Sequence, residues 1–489
     1  MQTTTNPVHD WLLNLDRRWY AVGVGAAVGV IGALLGLMLA YIGPVLTVAA
    51  LVGGFGAVYV LTEARAALYG TLVTLMLLPF GTFPFKIILT PTLLDAALGV
   101  FVLVYLLQWI TGRRHDFQSS PVHLMVLVYT AYFVLAFILG LRYGSLTNNI
   151  LRQFTETLLA IGLVVILVDI CRDAATLRRL VLLVILLVGA QAALAIFLWL
   201  LPDNLVERLL VRLARIGYPN GGVIRYVEDN PALAERAIGT WVDPNVLGGS
   251  LALLAAMITP QIFARRPVLP YRWLTFAVWS VVVVAMILTF SRAALVGFGA
   301  GLVLIAALRY RQLFIVMGIG VALLLSLPQT RFYVERFASA FAGREADPAT
   351  LMRLGEYGDS LRLIQQYPFF GVGFTGTPTA DVYTSVASMY LIMANQMGLI
   401  GLGLFLLTMA FVFGYGWRAW QRARDDDELN SILLGYHAAL FTVLTTSIAD
   451  LYFFRLDFQA PITLFWLTVA LALASSRLAF SDEILVRSR

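Results

Sequence analysis

Leu180-Val-Leu-Leu-Val-Ile-Leu-Leu-Val-Gly-Ala-Gln-Ala-Ala-Leu-Ala-Ile-Phe-Leu-Trp-Leu-Leu201 carries no charge and only one strongly polar side chain. As a helix it crosses a hydrocarbon core of roughly 30 Å. Similar runs recur along the chain. Hydrophobic residues make up 60% of its 489 residues, charged residues only 13%, and the mean hydropathy is +0.84. A water-soluble domain of this size needs more polar surface than that. The strict alternation of ten-residue barrel strands is absent. The sequence therefore predicts an all-α, polytopic integral membrane protein with about 12–14 transmembrane helices.

Apolar runs place spans at 21–40, 45–61, 66–80, 91–110, 121–140, 150–170, 180–201, 241–264, 273–290, 293–308, 312–328, 388–417, 429–450 and 458–476. Pro44, Pro79, Pro91, Pro121, Pro202 and Pro328 punctuate their ends, where helices start or stop. The resulting organisation has five parts. Residues 1–201 are N-terminal transmembrane helices and 202–240 an outer loop. Residues 241–328 are helices flanked by the motifs of Arg236 and Arg292. Residues 329–387 are a long outer loop, and 388–489 are C-terminal helices.

Asp10, Asp16, Arg17 and Arg18 precede the first span, without the look of a cleaved signal peptide. Arginines set the expected orientation. With the N-terminus cytoplasmic, the inner loops hold Arg113, Arg114, Arg172, Arg178, Arg179, Arg265, Arg266, Arg309, Arg418, Arg422 and Arg424, among others. The long loops 202–240 and 329–387 then face outward. Cys171 is the only cysteine, which excludes an intramolecular disulfide and a cysteine-based metal site. Neither a metal nor a cofactor is expected.

Four polar clusters fall on the outward side. Arg236 lies just before Asp243-Pro244-Asn245, a helix-start signature in which Asp243 caps and Pro244 takes the first helical position. Thr289-Phe290-Ser291-Arg292 is a tight turn between two apolar helices. Leu151-Arg152-Gln153 opens another span. Arg353, Glu356, Asp359 and Arg362 recur at helical spacing, which allows arginine–carboxylate pairs on one face. Each has a bland reading as a cap, a headgroup contact or a surface ion pair. Together they put several arginines at one membrane face, and arginine forks grip phosphate oxygens in pairs.

After Arg362 comes Tyr367-Pro-Phe-Phe-Gly-Val-Gly-Phe374, in which Gly371-Val372-Gly373 reads as a flexible turn, and the chain re-enters apolar sequence through Gly398-Leu-Ile-Gly401. The ordered set resembles the O-antigen ligase and O-antigen polymerase family of bacterial membrane glycosyltransferases. It comprises Arg236-Ala-Ile-Gly-Thr-Trp-Val-Asp-Pro-Asn245, Thr289-Phe-Ser-Arg292, Arg353, Tyr367–Gly373, Ser388-Met-Tyr390-Leu391 and Gly398–Gly401. The resemblance covers roughly residues 235–417.

The resemblance implies a helical fold of the lipid-sugar glycosyltransferase (GT-C-like) type in the bacterial cytoplasmic membrane. It implies a glycan donor on undecaprenyl pyrophosphate, and a glycan or glycolipid acceptor. A chain-length regulator is a further expected partner; nucleic acid is not. Carried over by motif, Arg236, Arg292 and Arg353 bind the pyrophosphate. Asp243 and Glu356 are candidates for proton transfer, as are Asp359 and Asp381. Arg152, Gln153, Asn245, Arg362 and Tyr390 are expected to contact substrate. Ligases of the family carry a His-Asn pair before the Tyr-Leu step; here those positions are Ala387 and Ser388. That departure favours polymerase over ligase. The alternative from the same ingredients is a lipid-linked oligosaccharide flippase or polysaccharide exporter without enzymatic activity.

Overall fold

The computed structural model describes residues 61–83, 91–326, 348–377 and 386–481, together with scattered helical residues between 18 and 40. Part of the first expected span, nearly all of the second, and residues 329–347 and 378–385 of the long loop, Asp381 among them, lie outside the described residues. The chain divides into two units, residues 1–66 and 67–489, and the second holds nearly all of the described helices.

Its helices are α1 (Ala64–Leu77, beginning at the unit boundary), α2 (Leu93–Ile110), α3 (His123–Gly140), α4 (Asn148–Ile170), α5 (Ala174–Leu200), α6 (Asp203–Arg212), α7 (Pro244–Phe263), α8 (Arg272–Leu288), α9 (Arg292–Leu308), α10 (Leu313–Ser326), α11 (Pro348–Gln366), α12 (Met389–Arg422), α13 (Asp427–Thr446) and α14 (Gln459–Leu478). Among the described residues, eight helices are long and apolar enough to span a membrane: α2–α5, α7 and α12–α14. Shorter apolar helices accompany them, α1 and α8–α10 among them. The all-α polytopic expectation holds. The segment 202–240, expected as an outer loop, has more order than that reading implied. It contains the amphipathic helix α6 and a two-stranded antiparallel ribbon, β1 (Arg225–Tyr226) and β2 (Glu235–Arg236), in which Arg225 pairs with Arg236.

Helix starts follow local side-chain chemistry. Thr92 and Asp95 close a reciprocal capping box on α2. Thr147, Asp173, Asp243, Ser291 and Asp426 cap α4, α5, α7, α9 and α13. The first backbone N–H groups of a helix have no partner within it, and each cap satisfies one or two of them. Helices α7, α13 and α14 are buried on nearly every side and form the core. Around them α8 and α9 pack on α7, α4 packs on α14, and α3 packs on α12.

The long helix α12 breaks at Gly398 (φ 67°, ψ −178°). The Tyr367–Phe374 run repairs the break. Val372 N–H donates to Asn395 O (2.8 Å), Gly373 N–H to Gln396 O (2.9 Å), and Leu399 N–H to Pro368 O (2.7 Å). Tyr132 Oη lies 3.1 Å from Phe369 O and 3.0 Å from Met397 O, tying the strut to the N-terminal side of the break. Phe374 then inserts beside Phe133, 5.0 Å between ring centres, and Phe133 stacks on Phe154. The run is thus a hydrogen-bonded strut and not a free turn.

A β-carbon at Gly398 would overlap Phe369 O. Gly398→Ala is expected to destabilise the protein by at least about 1–3 kcal/mol from backbone strain alone. Thermal unfolding in detergent checks this; an unchanged midpoint would show that the strut does not set the kink.

Candidate functional site

Helix polarity sorts the polar residues into two ends. One end gathers the N-termini of α2, α4, α7, α9, α12 and α14 with the C-terminus of α13. The opposite end is arginine-rich. There Asp169, fully buried at the end of α4, accepts from Arg114 Nη1 (2.9 Å), Arg172 Nη2 (2.8 Å), Gln118 N–H (2.9 Å) and Tyr105 Oη (3.1 Å). Nearby, Arg178 pairs with Glu428 and Arg309 with Asp427, each at 2.8 Å. At 1.5 Å per residue, Arg152 and Asp169 of α4 stand roughly 25 Å apart along the axis.

The first end is built around α7. Asp243 Oδ1 accepts from the N–H groups of Asn245 (2.7 Å) and Val246 (3.0 Å), and Pro244 takes the first helical position. Strand β2 delivers Arg236 across the top of this helix. Its Nε donates to Thr289 O (2.7 Å) and its Nη2 to Asn245 Oδ1 (2.6 Å). Two neutral oxygens therefore orient the guanidinium fork. Asn245, expected to contact substrate, has its oxygen engaged in holding Arg236. Arg292 is the first residue of α9, directly after the Thr289–Ser291 turn that receives Arg236.

Gly248 and Gly249 make this convergence possible. A β-carbon at Gly248 would stand 2.6 Å from Thr289 Oγ1 and 2.9 Å from Ser291 Cβ. One at Gly249 would overlap Tyr452 Oη. Without side chains, α7 admits the turn on one side and Tyr452 on the other.

Tyr452 Oη donates to Asp450 Oδ2 (3.0 Å), and Asp450 pairs with Arg353 Nη2 of α11 at 3.7 Å. Arg236 and Asp243 lie within electrostatic range of the same carboxylate. Asp450 is buried after the end of α13, and burial pushes its carboxyl up to about 6 against the opposing pull of Arg353 and of the Tyr452 hydroxyl. A carboxylate so placed is ionised at neutral pH yet basic enough to accept a proton.

Helix α11 supplies the opposite wall. The spacing of Arg353, Glu356, Asp359 and Arg362 does form a helix, but its pairs differ from the expected ones. Arg353 reaches Asp450. Glu356 Oε2 accepts from Ala387 N–H (3.1 Å), and burial raises its carboxyl. Only Arg362 and Asp359 form the expected surface pair, at 3.4 Å with Arg362 largely exposed. Tyr390 donates to Leu444 O (2.6 Å), and Met389 N–H donates to Asp450 O (2.9 Å), which docks the start of α12 on the Asp450 loop. No histidine joins the cluster among the described residues. His123 contacts Ser120, and His437 packs against Phe413.

Arg152 and Gln153 stand apart from these residues. Arg152 Nη1 pairs with Asp95 Oδ2 at 2.7 Å and lies 4.0 Å from buried Glu156, so its charge is matched within the protein. Both line a separate cavity that shares only Asp243 with the arginine cluster. Sequence reasoning did not single out Asp450 or Tyr452. The available signal was an acid at the end of an apolar span, followed by Leu451-Tyr452-Phe453-Phe454-Arg455.

Residues 275–406 match the family described as O-antigen ligase. The matched segment runs from α8 into α12 and contains Arg292, Arg353, Glu356 and the strut. No curated protein matches the chain.

Proposed function

We propose that this chain, which belongs to the O-antigen ligase/polymerase family, extends a polysaccharide by moving a glycan from undecaprenyl pyrophosphate to an acceptor hydroxyl on the outer face of the bacterial cytoplasmic membrane. The observation that carries the proposal is the convergence of Arg236 and Arg353 on Asp450 and Asp243 at one end of the bundle, with Arg292 beside it. The arginine-rich opposite end supports a cytoplasmic position for that end under the positive-inside rule.

The chemistry follows from charge placement. The acceptor hydroxyl attacks the anomeric carbon. Its proton passes to Asp450, and the bond from the anomeric carbon to the pyrophosphate oxygen breaks. Negative charge grows on the leaving group, where Arg236, Arg292 and Arg353 offset it. A single displacement inverts the anomeric configuration. Ala387 and Ser388, where a ligase would show its His-Asn pair, favour polymerisation over ligation, and buried Asp450 supplies a base in place of histidine.

Reconstitution tests this reading. Purified protein in liposomes, given lipid-linked oligosaccharide and acceptor without an ion gradient, is expected to release undecaprenyl pyrophosphate and a product heavier by one repeat. Movement of the donor across the bilayer with no change in mass would instead identify a flippase.

A further inference from the structure

The cavity beside the arginine cluster has a volume of about 380 Å³ and opens at the same end of the bundle. It lies between the N-termini of α4 and α14, the chain around Gly217 and Pro219, and the Trp241–Asp243 approach to α7. Its lining differs in kind from that of the arginine site. Half-buried Phe80 and Phe458 supply apolar faces. Gln153, Asp243 and Asp457 supply planar polar groups. The walls are braced by Gln459, whose Nε2 donates to Gln153 O (2.9 Å), which leaves the Gln153 side-chain amide for a ligand.

Electrostatics decides what fits. The lone arginine in the lining, Arg152, is paired with Asp95 at 2.7 Å, and Asp457 with Arg455 at 2.8 Å. The cavity therefore has no surplus positive charge to hold a pyrophosphate, and Asp243 would repel one. A neutral polyhydroxylated ring suits it: apolar ring faces pack on aromatic side chains, and hydroxyls bond to amides and carboxylates. The shared wall matters too. Asp243 closes the cavity on the side where Asp450 stands within electrostatic range, so a sugar seated here presents a hydroxyl toward the carboxylates, with the arginines beyond.

We infer that this cavity is the acceptor-sugar subsite, holding the terminal ring of the acceptor glycan, and that the pyrophosphate is excluded from it. The inference rests on the glycan-transfer reading and deepens it.

The test measures calorimetric binding of one probe to the full chain in detergent. The probe is free oligosaccharide released by mild acid from the lipid-linked oligosaccharide of the source strain. Wild type and Arg292→Ala are expected to bind it equally. The Gln153→Ala/Asp457→Ala double variant is expected to bind at least tenfold more weakly, and Gln153→Trp, which fills the cavity, not measurably. Inorganic pyrophosphate is expected not to compete. Wild-type affinity in both cavity variants, or displacement by pyrophosphate, would overturn the subsite. If transfer is lost in Arg292→Ala while the cavity variants bind normally, the subsite fails and the transfer reading stands. If the cavity variants lose binding while the wild-type protein in liposomes releases no undecaprenyl pyrophosphate and makes no heavier product, the subsite stands as a sugar site and the transfer reading fails.

Discussion

Asp450→Asn is expected to slow glycan transfer by about 10²–10⁴-fold, the range contributed by a positioned proton acceptor. The asparagine keeps the size of the side chain and an oxygen for Arg353 and Tyr452, so loss of rate with normal membrane insertion isolates the lost proton acceptor. The pH dependence gives an independent check. The Asp450 carboxyl is raised to about 6 by burial, so it is neutral below that pH and charged above it. A neutral carboxyl cannot accept the acceptor's proton. The rate should fall about tenfold per unit below pH 6 and level off above it.

Two controls sharpen that profile. Tyr452→Phe removes the hydroxyl that donates to the charged form, so the acidic limb should move upward. Glu235 is raised to about 7 by burial and by Asp203, in an overlapping window. Glu235→Gln should leave the limb in place. If Glu235→Gln moves it and Tyr452→Phe does not, the titrating group is Glu235, and Asp450 loses its role.

Arg292→Ala is expected to lower transfer by about 10²–10³-fold, the cost of removing one fixed group from a site of developing negative charge. Arg292→Lys keeps the charge but loses the planar fork, so partial recovery is expected, concentrated in the rate and not in donor affinity. Asn245→Ala frees the fork of Arg236 from one of its holds, and a smaller loss is expected because the Thr289 carbonyl remains. Polymer length in cells and single-turnover rates in liposomes measure all three. Wild-type polymer from Arg292→Ala would remove this arginine from the mechanism.

Much of this architecture was legible in sequence because bilayers impose long apolar runs and leave few alternatives. Asp243-Pro244 read correctly as a cap and first helical position, since both effects act over three residues. The Arg353–Arg362 spacing read correctly as a helix for the same reason. Pairings across the chain were not legible. Arg152 is paired with Asp95, 57 residues away, and Arg353 lies against Asp450, 97 residues away; sequence periodicity carries no information about either. Asp450 was absorbed into the expected span 429–450, whose helix ends at Thr446. The Gly371–Gly373 segment suggested mobility, whereas the N–H groups of Val372 and Gly373 are committed to the break in α12.

Gly248 and Gly249 have a consequence for how sequence variation in this protein is interpreted. Adjacent glycines near the start of an apolar helix look exchangeable with alanine, and helix propensity alone would favour the exchange. Here one position is occupied by the turn that receives Arg236, the other by the tyrosine that addresses Asp450. A methyl group at either would displace a different half of the site, at a packing cost that outweighs the gain in helix propensity. A survey of variants scored by expression would record only the cost of overpacking at both positions, and one scored by polymer would class them with the arginines. The gap between those two scores, position by position, separates residues that build this protein from residues that aim it.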